Sequence, residues 1–142
     1  MASKEKRIRA DFNKHVKPIQ NPVSTKWDLR VPGPEMINLI YGFSPRDMDD
    51  KWACCTDGPD KEGNIRVRFC RSWTTMENIA LIGRVPVEAH GNEKVVAREG
   101  GVITEIVWEK PRKDEWEPMT EKTAKEFAIG FSKHCMGCDL KG

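Results

Sequence analysis

Five consecutive residues, Arg71-Ser72-Trp73-Thr74-Thr75, hold the side chains best suited to recognising a ligand. An arginine guanidinium donates two parallel hydrogen bonds to a phosphate or carboxylate. An indole face stacks on a base, and hydroxyls complete the polar contacts. The bland reading has Trp73 in the core and the hydroxyls shaping a turn. A second candidate group is acidic: Asp47, Asp49 and Asp50 upstream, with Glu77 downstream. Carboxylates so grouped can do acid–base or metal chemistry. A solvated turn, or counter-ions to Arg71, is the simpler expectation. The expected ligand-binding set is Arg71, Ser72, Trp73, Thr74, Asp50 and Trp52, and no catalytic residue is assigned.

The thiols and imidazoles point to less. Cys135-Met136-Gly137-Cys138 is a single CxxC beside His134. Structural zinc takes four ligands, usually from two such pairs. The remaining cysteines are Cys70 and the adjacent Cys54 and Cys55, a poor second pair. A redox CxxC sits at a helix N-terminus, where the dipole favours the thiolate. This one falls at a helix C-terminus, where the dipole opposes it. No metal and no cofactor are therefore expected, and the thiols read as buried or incidental. His15, His90 and His134 share no ligand or triad spacing, and no GxSxG, Walker A or GxGxxG pattern occurs.

The element that must position Arg71 is a strand. From Ile65 to Trp73 the chain alternates, with Ile65, Val67, Phe69, Arg71 and Trp73 on one face and Arg66, Arg68, Cys70 and Ser72 on the other. The first face is apolar apart from Arg71. A guanidinium there needs a carboxylate, a carbonyl cluster or a bound anion. Asp49, Asp50 and Glu77 are the internal candidates. Trp52–Thr56 reads as a preceding strand, Asp57–Gly63 as a polar hairpin loop, and Ile79–Ile82 as a following strand covered on both faces.

The segment carries a resemblance. Asp49, Asp50, Trp52, Phe69, Arg71, Ser72, Trp73 and Thr74 together resemble a pattern in small uncharacterised bacterial and phage proteins with an Arg-Ser-Trp-Thr strand motif. A similar segment accompanies some ADP-ribosylglycohydrolase-type proteins. This chain departs from the pattern at Thr75, where glycine is usual, and at Cys70, where an aromatic or histidine is usual. The resemblance implies an association with ADP-ribose or nucleotide chemistry.

The rest of the chain supplies the frame. Its 142 residues suffice for one domain with a real core. A net charge of only +2 argues against a dedicated nucleic-acid binder. No apolar run is long enough for a membrane span, and the basic N-terminus lacks the apolar stretch of a secretory signal. A reducing, cytoplasmic setting is expected. Residues 1–22 read as a basic N-terminal arm with a thin apolar stripe, and 23–142 as a single domain. Asn21–Pro34 is expected to be extended edge structure pinned by Trp27 and Leu29. Gly33-Pro34-Glu35 opens a short helix that Gly42 ends. Arg84–Gly101 is expected to hold strand pieces around an Asn92 turn. Val102–Trp108 reads as a strand. A helix starts near Thr120, with Ala124, Phe127, Ala128, Phe131 and Cys135 as its apolar face and Gly137 as its cap.

The expected fold is therefore α+β: a largely antiparallel sheet of about five strands, with one short helix and one longer C-terminal helix. Three functions follow. The first is a non-catalytic binder of a nucleotide or ADP-ribose-like anion, of a phage-type sequestering or regulatory kind. The second is a protein–protein interaction module, an inhibitor or subunit, using the basic arm and exposed tryptophans. The third is a small nucleotide-processing enzyme, which the lack of a nucleophile or metal motif disfavours. The partner expected is an anionic small molecule or a protein, with a homo-oligomer left open and no membrane.

Overall fold

The computed structural model describes residues 16–43, 52–71, 76–89, 92–110, 119–138 and 140, with the backbone alone at Ala89 and Cys135. Five strands, β1 (Pro22–Val31), β2 (Trp52–Asp57), β3 (Asn64–Arg71), β4 (Glu77–Arg84) and β5 (Gly101–Glu109), form one antiparallel sheet. Its order is β1-β5-β4-β3-β2. Among the described residues three α-helices accompany it: α1 (Gly33–Tyr41), α2 (Glu93–Glu99) and α3 (Glu121–Met136). This is the α+β architecture expected from the sequence, with the extended Asn21–Pro34 stretch becoming edge strand β1. Among the described residues no helix is long and apolar enough to cross a membrane.

The helices cover one face of the sheet. Period-two alternation aims Ile65, Val67 and Phe69 of β3 at them, and each is fully buried or nearly so. Cross-strand rungs continue that face through Ile79 and Leu81 of β4 to Ile106 and Trp108 of β5. α1 adds Met36 and Leu39, and α3 adds Ala124 and Ala128. Phe127 and Phe131 of α3 set their rings edge-on to Phe69, at 6.1 and 5.6 Å between centroids.

α3 starts where its hydroxyls permit. The Thr120 side chain accepts from the Thr123 amide, and the Thr123 hydroxyl accepts from the Thr120 amide, a reciprocal cap with threonine in the usual glutamate place. Gly137 closes the helix in a left-handed conformation (φ 62°).

The region between β4 and β5 departs from expectation. In place of strand pieces it forms a single 3₁₀ turn, Val87–Ala89, and then α2. Asn92 is a helix cap there: its side chain accepts from the Lys94 amide. Val95 and Val96 are buried on α2. Tertiary packing outweighs their β preference, because α2 seats against α1 at Gly33. A Cβ at Gly33 would stand 1.9 Å from the Ala97 carbonyl oxygen, so only glycine allows that approach.

The boundary between arm and domain also has structure. Val16 is buried, and Lys17 forms a parallel bridge with Met76. The Glu77 amide donates to the Lys17 carbonyl at 3.0 Å, and the Lys110 amide to that of Asn21 at 2.7 Å. Residues 16–21 thus cross the ends of β4 and β5 as a hydrogen-bonded strap. Residues 1–15 lie outside the described residues.

Candidate functional site

Trp52 and Arg71 are cross-strand partners at the end of the β2–β3 hairpin. Both therefore point to the helix side of the sheet. One face of Trp52 meets Phe127, with centroids 4.5 Å apart. The guanidinium carbon of Arg71 lies 4.8 Å from the Trp52 centroid. That contact is a cation–π pair. It holds the guanidinium in place while leaving its N–H donors available for an anion. Trp52 thus braces Arg71, and, being half buried, it also lines the cleft beside it.

Arg71 keeps the face that alternation assigns, but it is not buried. The apolar cover ends at Phe69, and Arg71, the last residue of β3, is exposed. The expectation of a charge enclosed among apolar neighbours is corrected on that point. Among the described residues Arg71 has no carboxylate partner. Glu77, one of the three acids considered for that role, is held elsewhere. Asp49 lies outside the described residues, as do Asp50, Ser72, Trp73 and Thr74 of the expected ligand set.

A cleft of about 400 Å³ opens beside Arg71. Its walls bring together Gln20 and Asn21 from the strap, Asn78 from β4, and Glu109 and Lys110 from the end of β5. Exposed Met76 and half-buried Met119 supply apolar surface. The Asn21 amide donates to Glu109 Oε2 at 2.8 Å, fixing that carboxylate and the strap together. The strap, Asn78, Glu109 and Lys110 were not legible as site residues. Only the sheet order, with β5 between β1 and β4 and with β4 beside β3, carries them to Arg71, and pairing order has no local signature.

The buried charge of this region is Glu77, whose side chain has no exposure. A bulge between Phe69 and Cys70 sets Glu77 opposite Cys70 and turns it to the face away from the helices. Arg66 clamps it with both arms, Nη2 to Oε1 at 2.6 Å and Nε to Oε2 at 3.1 Å. Arg68 Nε lies 3.0 Å from Oε2, off the line of a hydrogen bond, so it contributes charge rather than a directed bond. The Glu77 hydrogen bond holds the Arg66 guanidinium above its already high ordinary pKa. The sequence signal for this cluster was Arg66 and Arg68 alternating on the face opposite Phe69.

Next to the cluster, Cys55, Cys70 and Val16 form a small second core. Burial pushes the Cys70 thiol up to about 12, the neighbouring Cys55 and Glu77 adding to the effect. Cys54 and Cys138 are buried in the main core. No three His, Cys, Asp or Glu side chains converge on a metal position among the described residues. The Cys135 side chain is outside them. The expected use of exposed tryptophans is narrowed: Trp27 and Trp108 are buried, at 5 % and 6 % exposure.

The chain matches no protein-family model, no curated protein and no solved structure.

Proposed function

We propose that this protein binds a small anionic ligand of the nucleotide or ADP-ribose class in the Arg71 cleft, without turning it over. One observation carries the reading: the Arg71 guanidinium is braced against Trp52, exposed, and without a carboxylate partner among the described residues. Lys110 adds a second cation to the cleft, and the amides of Gln20, Asn21 and Asn78 are suited to sugar or base edges. Among the described residues both carboxylates at the cleft are already engaged, Glu77 by Arg66 and Glu109 by the Asn21 amide. That favours binding over acid–base turnover. The nucleotide or ADP-ribose class enters through the resemblance of the Arg-Ser-Trp-Thr segment, and with it a sequestering or regulatory role.

Calorimetry of the full chain and its Arg71→Met variant against ADP-ribose, NAD and cyclic nucleotides tests this. The expected result is binding by the parent chain. The variant should lose about 1.5–3 kcal/mol, the value of hydrogen bonds to a charged group. If the parent chain binds none of these at millimolar concentration, the reading gives way to a protein–protein interaction module.

A further inference from the structure

The Arg71 cleft lies at the Glu109 end of β5. A second hollow, of about 270 Å³, lies at its Gly101 end. Val102 pairs with Arg30 on β1 and with Arg84 on β4. The three residues form one rung of the sheet. Leu29, Val31, Gly83 and Val85 are buried, so Arg30 and Arg84 take the opposite face, and both are exposed. Adjacent strands are about 4.8 Å apart, which sets the two arginine Cα atoms roughly 9.6 Å apart across Val102.

Two fixed positive charges on one rung repel each other, and arginine cannot relieve this by losing its proton. Among the described residues neither Arg30 nor Arg84 has an ion-pair partner. The one acid lining the hollow among the described residues, Glu99, is 3.0 Å from Arg98 Nε. Pro86 and Val102 add apolar surface beside the two arginines. A single carboxylate satisfies one guanidinium fork; two forks on one rung of the same face suit an anion with several oxygens and more than one charge. We propose that this hollow is a second anion site, taking a phosphate or diphosphate group between Arg30 and Arg84.

The test is a titration of the full, isotope-labelled chain with pyrophosphate at low salt, followed by amide resonances. The amides of Arg84, Gly101 and Val102 should shift and saturate. Arg30→Gln and Arg84→Gln should each weaken that response roughly tenfold or more. Arg71→Met should leave it unchanged, which separates this hollow from the cleft at the other end of β5. Repeating the titration with inorganic phosphate and with a nucleoside diphosphate distinguishes a free anion from a phosphorylated molecule as the source. The proposal is overturned if these amides do not move at millimolar pyrophosphate. It is equally overturned if they move as much in the Arg30→Gln/Arg84→Gln double variant, whose fold the same spectra report.

Discussion

Glu77 Oε1 lies 2.6 Å from Arg66 Nη2, joining residues 11 apart in the chain across the outer face of the sheet. The carboxylate is fully enclosed, and the same group anchors Arg68 and faces the strap at Ile19. Breaking a buried pair leaves its partner's charge uncompensated. Arg66 and Arg68 retain 32 % and 17 % side-chain exposure and can partly rehydrate, which moderates the loss. Glu77→Gln should therefore cost about 2–3 kcal/mol, below the full buried-pair range. Urea denaturation measures it, and a loss under about 0.5 kcal/mol, the scale of ordinary surface changes, would show that the cluster is not integral.

Cys70 predicts an alkaline limit on stability. Its thiol pKa rises from 9.0 to about 12 on folding, chiefly through burial. Above pH 9.0 the unfolded chain loses this proton while the folded chain keeps it, so unfolding is favoured as pH rises. The contribution is fully present below the unfolded value and is lost progressively up to about 12. Denaturant midpoints measured across that window should fall less steeply in Cys70→Ala than in the parent chain. Equal slopes would exclude Cys70 as a source of the pH dependence.

Gly33 is where α1 and α2 touch through their backbones. A methyl group there would collide with the Ala97 carbonyl at 1.9 Å, and backbone cannot swing aside as a side chain can. Gly33→Ala should destabilise by about 1–3 kcal/mol or more through overpacking, despite alanine's better helix propensity. A thermal midpoint at or above that of the parent chain would contradict the packing described.

These sites divide what the chain makes legible from what it hides. β3 could be read from Ile65, Val67 and Phe69, and α3 from Ala124, Phe127, Ala128 and Phe131, because each burial face repeats at its own period. The same rule put Arg71 on the correct face, but period does not say where the helix cover stops. Glu77 was legible as a counter-ion and not as Arg66's, because the bulge at Cys70 shifts register without a glycine or proline to mark it. Val95 and Val96 looked like strand and proved helical, since Asn92 caps as readily as it turns. Asn21, Asn78 and Lys110 meet Arg71 only through sheet order, which no local pattern encodes.

The strap makes a prediction by difference. Two truncated chains, one beginning at Val16 and one at Pro22, differ only in residues 16–21. Those residues bury Val16 and supply or receive the hydrogen bonds to Glu77, Glu109 and Lys110. Each such bond contributes about 1 kcal/mol net. The shorter chain should be less stable than the longer one by about 2–4 kcal/mol in urea denaturation. Equal stability would mean that the strap rests on the sheet without supporting it.

Arg71 and Trp52 allow the site to be separated from the fold. Arg71 is exposed and closes no internal ion pair among the described residues, so Arg71→Met should change stability by no more than the ~0.5–1 kcal/mol of an exposed cation–π contact. Trp52 also packs on Phe127, so Trp52→Leu should cost more, about 1–3 kcal/mol, as buried aromatic area is lost. Ligand affinity should follow a different order. Losing Arg71 removes the contact itself, whereas losing Trp52 only frees the guanidinium to move. Affinity should thus fall further in Arg71→Met, although stability falls further in Trp52→Leu. In the double variant the affinity loss should be close to that of Arg71→Met alone, since a positioning residue has nothing left to position. Additive losses would instead mean that Trp52 touches the ligand itself, and the brace described for Arg71 would not account for its role.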